Sequence, residues 1–178
     1  MDETTIDKIC LEDDDIRPYY FGTIASDEFP SPPDERIPSM GLFVVNSDPR
    51  SMKGSHWSPL ALGMEEPKKC AWMDSFGEKP PPQITKILLS QGWNIEYNPK
   101  PFQNPISKSC GVFSIYFLKL WACGYTSKEI VTKYLFDAEQ NLFKNEALVE
   151  QFIRQAELIP RRSPLVPTDI INKKDEEP

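Results

Sequence analysis

A single histidine stands in the whole chain of 178 residues, and the four cysteines (Cys10, Cys70, Cys110, Cys123) show no repeated CxxC spacing. So few soft and borderline ligands exclude an ordinary zinc site, and no metal is expected. Glycine is scarce, 8 residues against 18 prolines, which favours stiff connections over a simple helix bundle. Basic residues are also in the minority, 20 against 27 acidic, for a formal charge of -7. The densest basic group is Lys173-Lys174, followed at once by acids, so direct binding of DNA is disfavoured. No basic n-region precedes an apolar run, and the longest apolar stretch, Val112 to Leu118, is far short of a membrane span. The expected setting is intracellular and reducing (host cytoplasm or nucleus, or a virion), with free thiols and no membrane.

What is present suits one domain. Hydrophobic residues make up 39% and aromatics 11%, enough for a core without staples. Residues 1–17 are acidic and weakly patterned and read as a flexible arm; 160–178, with four prolines and a closing charge cluster, read as a tail. Between them, 18–159 carries both periodicities. Gly41–Asn46 is a compact apolar run suited to a buried strand. His56–Leu62 and Cys70–Asp74 flank a polar loop and read as a hairpin, although Pro59 argues that the first strand starts after it or lies at an edge. Trp93–Tyr97 alternates as a half-buried strand does. Helices are expected over Pro82–Gln91, Cys110–Cys123, from the capping pattern Thr126-Ser-Lys-Glu129 to about Tyr134, and over Asn145–Leu158. The helix from Cys110 is apolar nearly all round, with Lys119 its only charge, so it must be buried. The fold class is α+β: a central mixed sheet with helices around one buried helix.

Cys110 stands where a loop enters that helix, at the positive end of its dipole, where a thiolate is favoured. Gly111 beside it allows close approach of a carbonyl. His56, in Gly54-Ser55-His56-Trp57, is the one side chain able to serve as its base near neutral pH. Asp74 follows a strand and can fix the imidazole's tautomer, while Gln103 can aim an amide N–H at a developing oxyanion beside the N–H of Cys110. Each of these, alone, reads equally as a buried cysteine, a turn histidine, a pre-turn aspartate or a solvated glutamine. Their order, His, Asp, Gln, Cys, with each at an element edge, is what points to thiol hydrolase chemistry.

Gly54-Ser-His-Trp57, Trp72-Met-Asp-Ser-Phe-Gly77 and Gln103-Asn-Pro-Ile-Ser-Lys-Ser-Cys-Gly-Val-Phe113 resemble the three active-site blocks of the adenovirus endopeptidase family. They are also similar to its relatives in large DNA viruses and Polinton/Maverick-type transposons, and more distantly to ubiquitin-like-modifier proteases. Tyr20 to Pro30 resembles the substrate-side entry segment of the same proteins, so the likeness runs from about Tyr20 to Phe152. The resemblance implies base His56, acid Asp74, oxyanion donor Gln103 and nucleophile Cys110, with Gly54, Ser55, Trp57 and Gly111 toward the substrate. It implies a monomeric endopeptidase acting on a viral or mobile-element precursor or capsid protein at Gly-Gly or Gly-X sites. Asp74 departs from the glutamate of the adenovirus enzyme and matches the modifier proteases. No cysteine lies between Asp74 and Gln103, where the adenovirus enzyme is linked to an activating peptide, and the chain is acidic, so neither peptide nor DNA activation, and no cofactor, is expected. Deconjugation of a ubiquitin-like modifier and an inactive binding module of the same fold are the rival readings.

Overall fold

The structure is a computed structural model and describes residues 1–30, 37–134 and 138–155. The expected tail, 160–178, lies outside the described residues.

The opening segment is not an arm. Asp2 caps a helix, its carboxylate accepting from Thr5 N at 2.8 Å, and α1 runs Glu3–Glu12. Ile6 and Cys10, one turn apart on one face, are completely buried, and that apolar pair is what holds the acidic segment to the domain. The low density of apolar residues concealed two well-placed ones.

Five strands follow: β1 (Tyr20–Ala25), β2 (Gly41–Asn46), β3 (Trp57–Leu62), β4 (Lys69–Trp72) and β5 (Asn94–Tyr97). They lie side by side in chain order, with β1 parallel to β2, β2–β3–β4 antiparallel, and β5 parallel to β4. Because β2 is covered on both faces, all six of its residues are buried, which explains its unbroken apolar run. Leu42 and Val44 face one cluster with Ala61 and Ala71; Phe43 and Val45 face the other with Leu60, Leu62 and Trp72. The first face takes α1, α3 (Cys110–Ala122) and α5 (Ala138–Gln155); the second takes α2 (Pro82–Ser90) through Ile84 and Leu88. Small Ala61 and Ala71 leave room for the bulky α3, whose Phe113, Phe117 and Trp121 are essentially inaccessible. Burying each such side chain contributes on the order of 2–3 kcal/mol. This is the α+β arrangement expected, with one buried helix at its centre.

Pro59 is the second correction. It sits in β3, the middle strand, opposite Val44 of β2. The β3–β4 ladder starts only at Leu60, opposite Trp72; beyond it Pro59 accepts one bond, from Met73 N at 3.3 Å. The reciprocal bond, from position 59 to the Met73 carbonyl, is the one that proline cannot make, and the ladder ends there. β1 was not recognisable as a strand, since Gly22 (φ 131°) interrupts its pattern and marks an irregularity in the pairing with β2.

Lys119, the lone charge of α3, is bonded to Asp13 (2.7 Å) and Asp15 (2.8 Å) just after α1, so the helix carries its cation into the core already paired. The capping box at Thr126 and Glu129 forms and starts the short α4 (Ser127–Glu129), which continues as a π-helical turn over Ile130–Tyr134.

Candidate active site

Three elements meet at one end of the sheet. His56 is the residue before β3, Asp74 follows β4 by two residues, and Cys110 opens α3. Ser114, one turn into α3, has its hydroxyl 2.9 Å from the Cys110 carbonyl and 3.2 Å from that of Trp57. This stitch fixes the head of α3 against β3 and so sets the thiol beside the imidazole.

His56 Nε2 lies 2.6 Å from Asp74 Oδ2. Both residues are buried, Asp74 completely, and the Phe76 ring packs on the imidazole at 4.8 Å. An isolated carboxylate here would be costly, but Asp74 is saturated with donors. Oδ2 also accepts from the Ser58 hydroxyl at 2.5 Å; Oδ1 accepts from Phe76 N (2.7 Å) and Glu78 N (3.2 Å). Burial pushes the Asp74 carboxyl up, yet the bond from His56, its charge and the Ser58 hydroxyl together hold it below the usual carboxylate range. The Asn98 amide holds the Asp74 carbonyl at 2.7 Å and fixes the turn.

His56 Nδ1 is buried with no conventional hydrogen-bond partner, which leaves it free to face the thiol. Burial opposes charge on the ring, but the bond to Asp74, then the interaction with the Cys110 thiol, raise its pKa from the ordinary 6.5 to about 9. For Cys110 burial acts upward, and is outweighed by His56 and by the backbone N–H groups of Trp57 and Gly111, so the thiol sits below its usual value. The other cysteines go the opposite way. Burial pushes Cys10, Cys70 and Cys123 up to about 12 each. One thiol of four is activated, and it is the half-exposed one.

Gln103 is fully buried, and every polar atom of its amide is engaged. Its Oε1 accepts from the Ser75 hydroxyl at 2.6 Å; its Nε2 donates toward Ser107 Oγ at 2.8 Å and Ser107 O at 3.2 Å. The donor assigned to the oxyanion is therefore occupied in the free protein.

The four residues assigned to the substrate side divide. The Trp57 indole N–H donates to the Met1 carbonyl at 3.2 Å, and a Cβ on buried Gly111 would meet Met1 Cβ at 3.3 Å and Ile6 Cδ1 and Met1 Sδ at 3.4 Å, so both residues pack against Met1. Ser55 instead bonds Asp48 at 2.8 Å, and Gly54 (φ 72°) packs on the Asn46 amide. Both shape the loop before His56. A cleft of about 310 Å³ is lined by Met1, Asn46, Gly54 and Trp57 among others; a larger cavity of about 1220 Å³ lies on the α2 face and is lined by none of the candidate residues. Among the described residues no group of three or more His, Cys, Asp or Glu is placed to hold a metal, and no helix is long and apolar enough to cross a membrane.

Ser58, Ser75, Asn98, Ser107 and Glu146 escaped the sequence reading. Ser58 alone had a signal: two residues after His56 on a strand, it shares the histidine's face.

Two crystal structures of the ASFV pS273R protease are similar at 14% identity each. The selenomethionine form aligns over 71% of this chain and 47% of its own, with TM-score 0.47; the other aligns over 81% and 65%, with TM-score 0.49. This chain thus spans about half to two-thirds of that protease's length. No curated protein matches. The model of the Ulp1 protease family, C-terminal catalytic domain, matches residues 49–152, a span that includes His56, Asp74, Gln103 and Cys110. The chain belongs to the Ulp1 protease family.

Proposed function

We propose that this protein is a cysteine endopeptidase in which Cys110 is the nucleophile, His56 the base, Asp74 its orienter and Gln103 an oxyanion donor. The observation that carries the reading is the buried His56–Asp74 bond of 2.6 Å, next to the one thiol whose pKa is lowered while three others are raised. In the resting site the proton resides on His56 and the negative charge on Cys110. The thiolate attacks the scissile carbonyl carbon, and the carbonyl oxygen becomes an oxyanion near the N-terminus of α3. His56 gives its proton to the leaving amine as the C–N bond breaks. Water, deprotonated by His56, then attacks the thioester and releases the acid and the thiolate.

The substrate side rests on the sequence blocks. Their resemblance to the adenovirus endopeptidase supports cleavage at Gly-Gly or Gly-X in a precursor or capsid protein of a virus or mobile element. The protein acts as a monomer in a reducing compartment, where its four cysteines stay free thiols.

The test is a peptide library cleaved by the wild type beside Cys110→Ala. Wild-type cleavage after small residues, absent in the variant, is expected; cleavage by Cys110→Ala overturns the assignment. Turnover confined to modifier-linked fluorogenic substrates would make the enzyme a deconjugase instead.

A further inference from the structure

Gln103 cannot serve an oxyanion as it stands, because both directions of its N–H₂ group point at Ser107. The two contacts differ. The one to the hydroxyl is short, 2.8 Å, and that hydroxyl is itself held: it donates to Glu146 Oε1 of α5 at 2.6 Å, which turns its lone pairs toward the amide. The one to the Ser107 carbonyl is long, 3.2 Å, and goes to a neutral acceptor. On the far side the Ser75 hydroxyl donates to Oε1 at 2.6 Å, and a flip of the amide would turn Oε1 against the Ser107 carbonyl, two acceptors face to face. The loop itself is clamped from α5, where Glu146 also accepts from Asn104 N at 3.0 Å and fully buried Asn145 donates to the Phe102 carbonyl at 3.1 Å.

We infer that Ser107 and Glu146, with Ser75, are positioning residues that hold Gln103 as a latent donor: the Ser107 hydroxyl anchors one amide proton while the Ser107 carbonyl lends the other to the oxyanion. The inference rests on the proposed role of Gln103. Its physical basis is the order of bond strengths. A neutral carbonyl at 3.2 Å satisfies the donor in the free protein, so no buried N–H is left unpaired. A full negative charge on the reacting oxygen accepts about twice as strongly, so the exchange is favourable only once that charge has formed. A bond gained in the transition state and absent in the ground state raises kcat and leaves KM nearly unchanged. The Glu146 charge matters because it keeps the Ser107 hydroxyl donating away from Gln103; without it, the hydroxyl can rotate and compete as a donor.

The experiment compares Ser107→Ala, Ser107→Thr and Glu146→Ala with wild type on one peptide substrate, and repeats Ser107→Ala in a Gln103→Ala background. Ser107→Ala and Glu146→Ala are expected to lower kcat by about 10- to 100-fold with KM little changed. Ser107→Thr, which keeps the hydroxyl, restores most of the rate. In the Gln103→Ala background the loss of Ser107 adds nothing, since both act through one bond. A peptide aldehyde, whose carbonyl oxygen becomes the hemithioacetal oxygen on Cys110, loses affinity in parallel with kcat, while the product acid does not. Alkylation by iodoacetamide forms no oxyanion and proceeds at the wild-type rate, which also reports an intact fold around the thiol. Rates for Ser107→Ala within twofold of wild type, additive losses in the double variant, or a matching fall in alkylation would each overturn the inference. A wild type that alkylates but cleaves nothing removes the proposed function, and with it this role for Gln103.

Discussion

The strongest leverage on the site is Asp74→Asn. The carboxylate is the leading cause that lifts His56 from 6.5 to about 9, against the opposing effect of burial. That lift corresponds to on the order of 3 kcal/mol of preference for the imidazolium. With a neutral amide at position 74, burial remains and the ion pair is gone, so the ring titrates near or below its ordinary value. Cys110 then loses the cation that lowers it, and burial carries the thiol back up. The sign is therefore fixed: in the wild type the charged pair persists through neutral pH, and hydrolysis falls as pH rises through about 9, where His56 loses the proton due to the leaving amine. In the variant the basic limb moves to lower pH and the thiolate appears only at higher pH, so the two requirements no longer overlap. Hydrolysis at neutral pH should fall by on the order of 10³- to 10⁴-fold. The assay is iodoacetamide alkylation and peptide hydrolysis followed across pH for both proteins. An alkylation profile unchanged by Asp74→Asn, or a loss of hydrolysis under about tenfold, would refute the reasoning.

Iodoacetamide at mildly acid pH should label Cys110 and spare Cys10, Cys70 and Cys123, whose thiols sit at about 12; mass spectrometry of the digest decides it, and equal labelling counts against selective activation. Gly54→Ala drives a Cβ into the Asn46 amide at a φ of 72°, so it should lower peptide hydrolysis by about tenfold or more; hydrolysis within about twofold of wild type would show that the loop does not set His56. Ile6→Ala, in the segment that reads from sequence as an arm, should cost about 2–5 kcal/mol in urea unfolding because its side chain is completely buried; a change under about 0.5 kcal/mol would mean that α1 is dispensable.

Much of the architecture was legible where one periodicity dominated. The buried helix from Cys110, the strand over Gly41–Asn46 and the capping box at Thr126 all announced themselves, because burial on every side, or a cap chemistry, leaves a local trace. The proposed catalytic quartet rests on a different ground: a lone histidine admits no competitor, and the resemblance of three motif blocks supplies the rest. What stayed hidden depended on distant partners. Ile6 and Cys10 become core only when α3 and β2 supply the other wall. Ser75, Ser107 and Glu146 are common surface residues until the loop over 102–107 folds against α5, 39 residues separating Ser107 from its carboxylate. Gln103 reads from sequence as a donor, yet the engagement of its amide by Ser75 and Ser107 was invisible, because hydrogen-bond competition is a property of three dimensions.

Pro59 gives the end of the sheet that carries His56 and Asp74 a stop. A strand pair zips until something prevents it, and here the next tooth of the zip is an imino acid on the strand that β4 would have to follow. The chain after Met73 is released to turn aside and bring Asp74 under the imidazole, while β3 continues alone beside β2 to carry Ser58 and Trp57. The end of the sheet that carries His56 and Asp74 is thus frayed by composition rather than by strain: withholding one hydrogen atom from the backbone stops the β3–β4 ladder where the proposed triad begins.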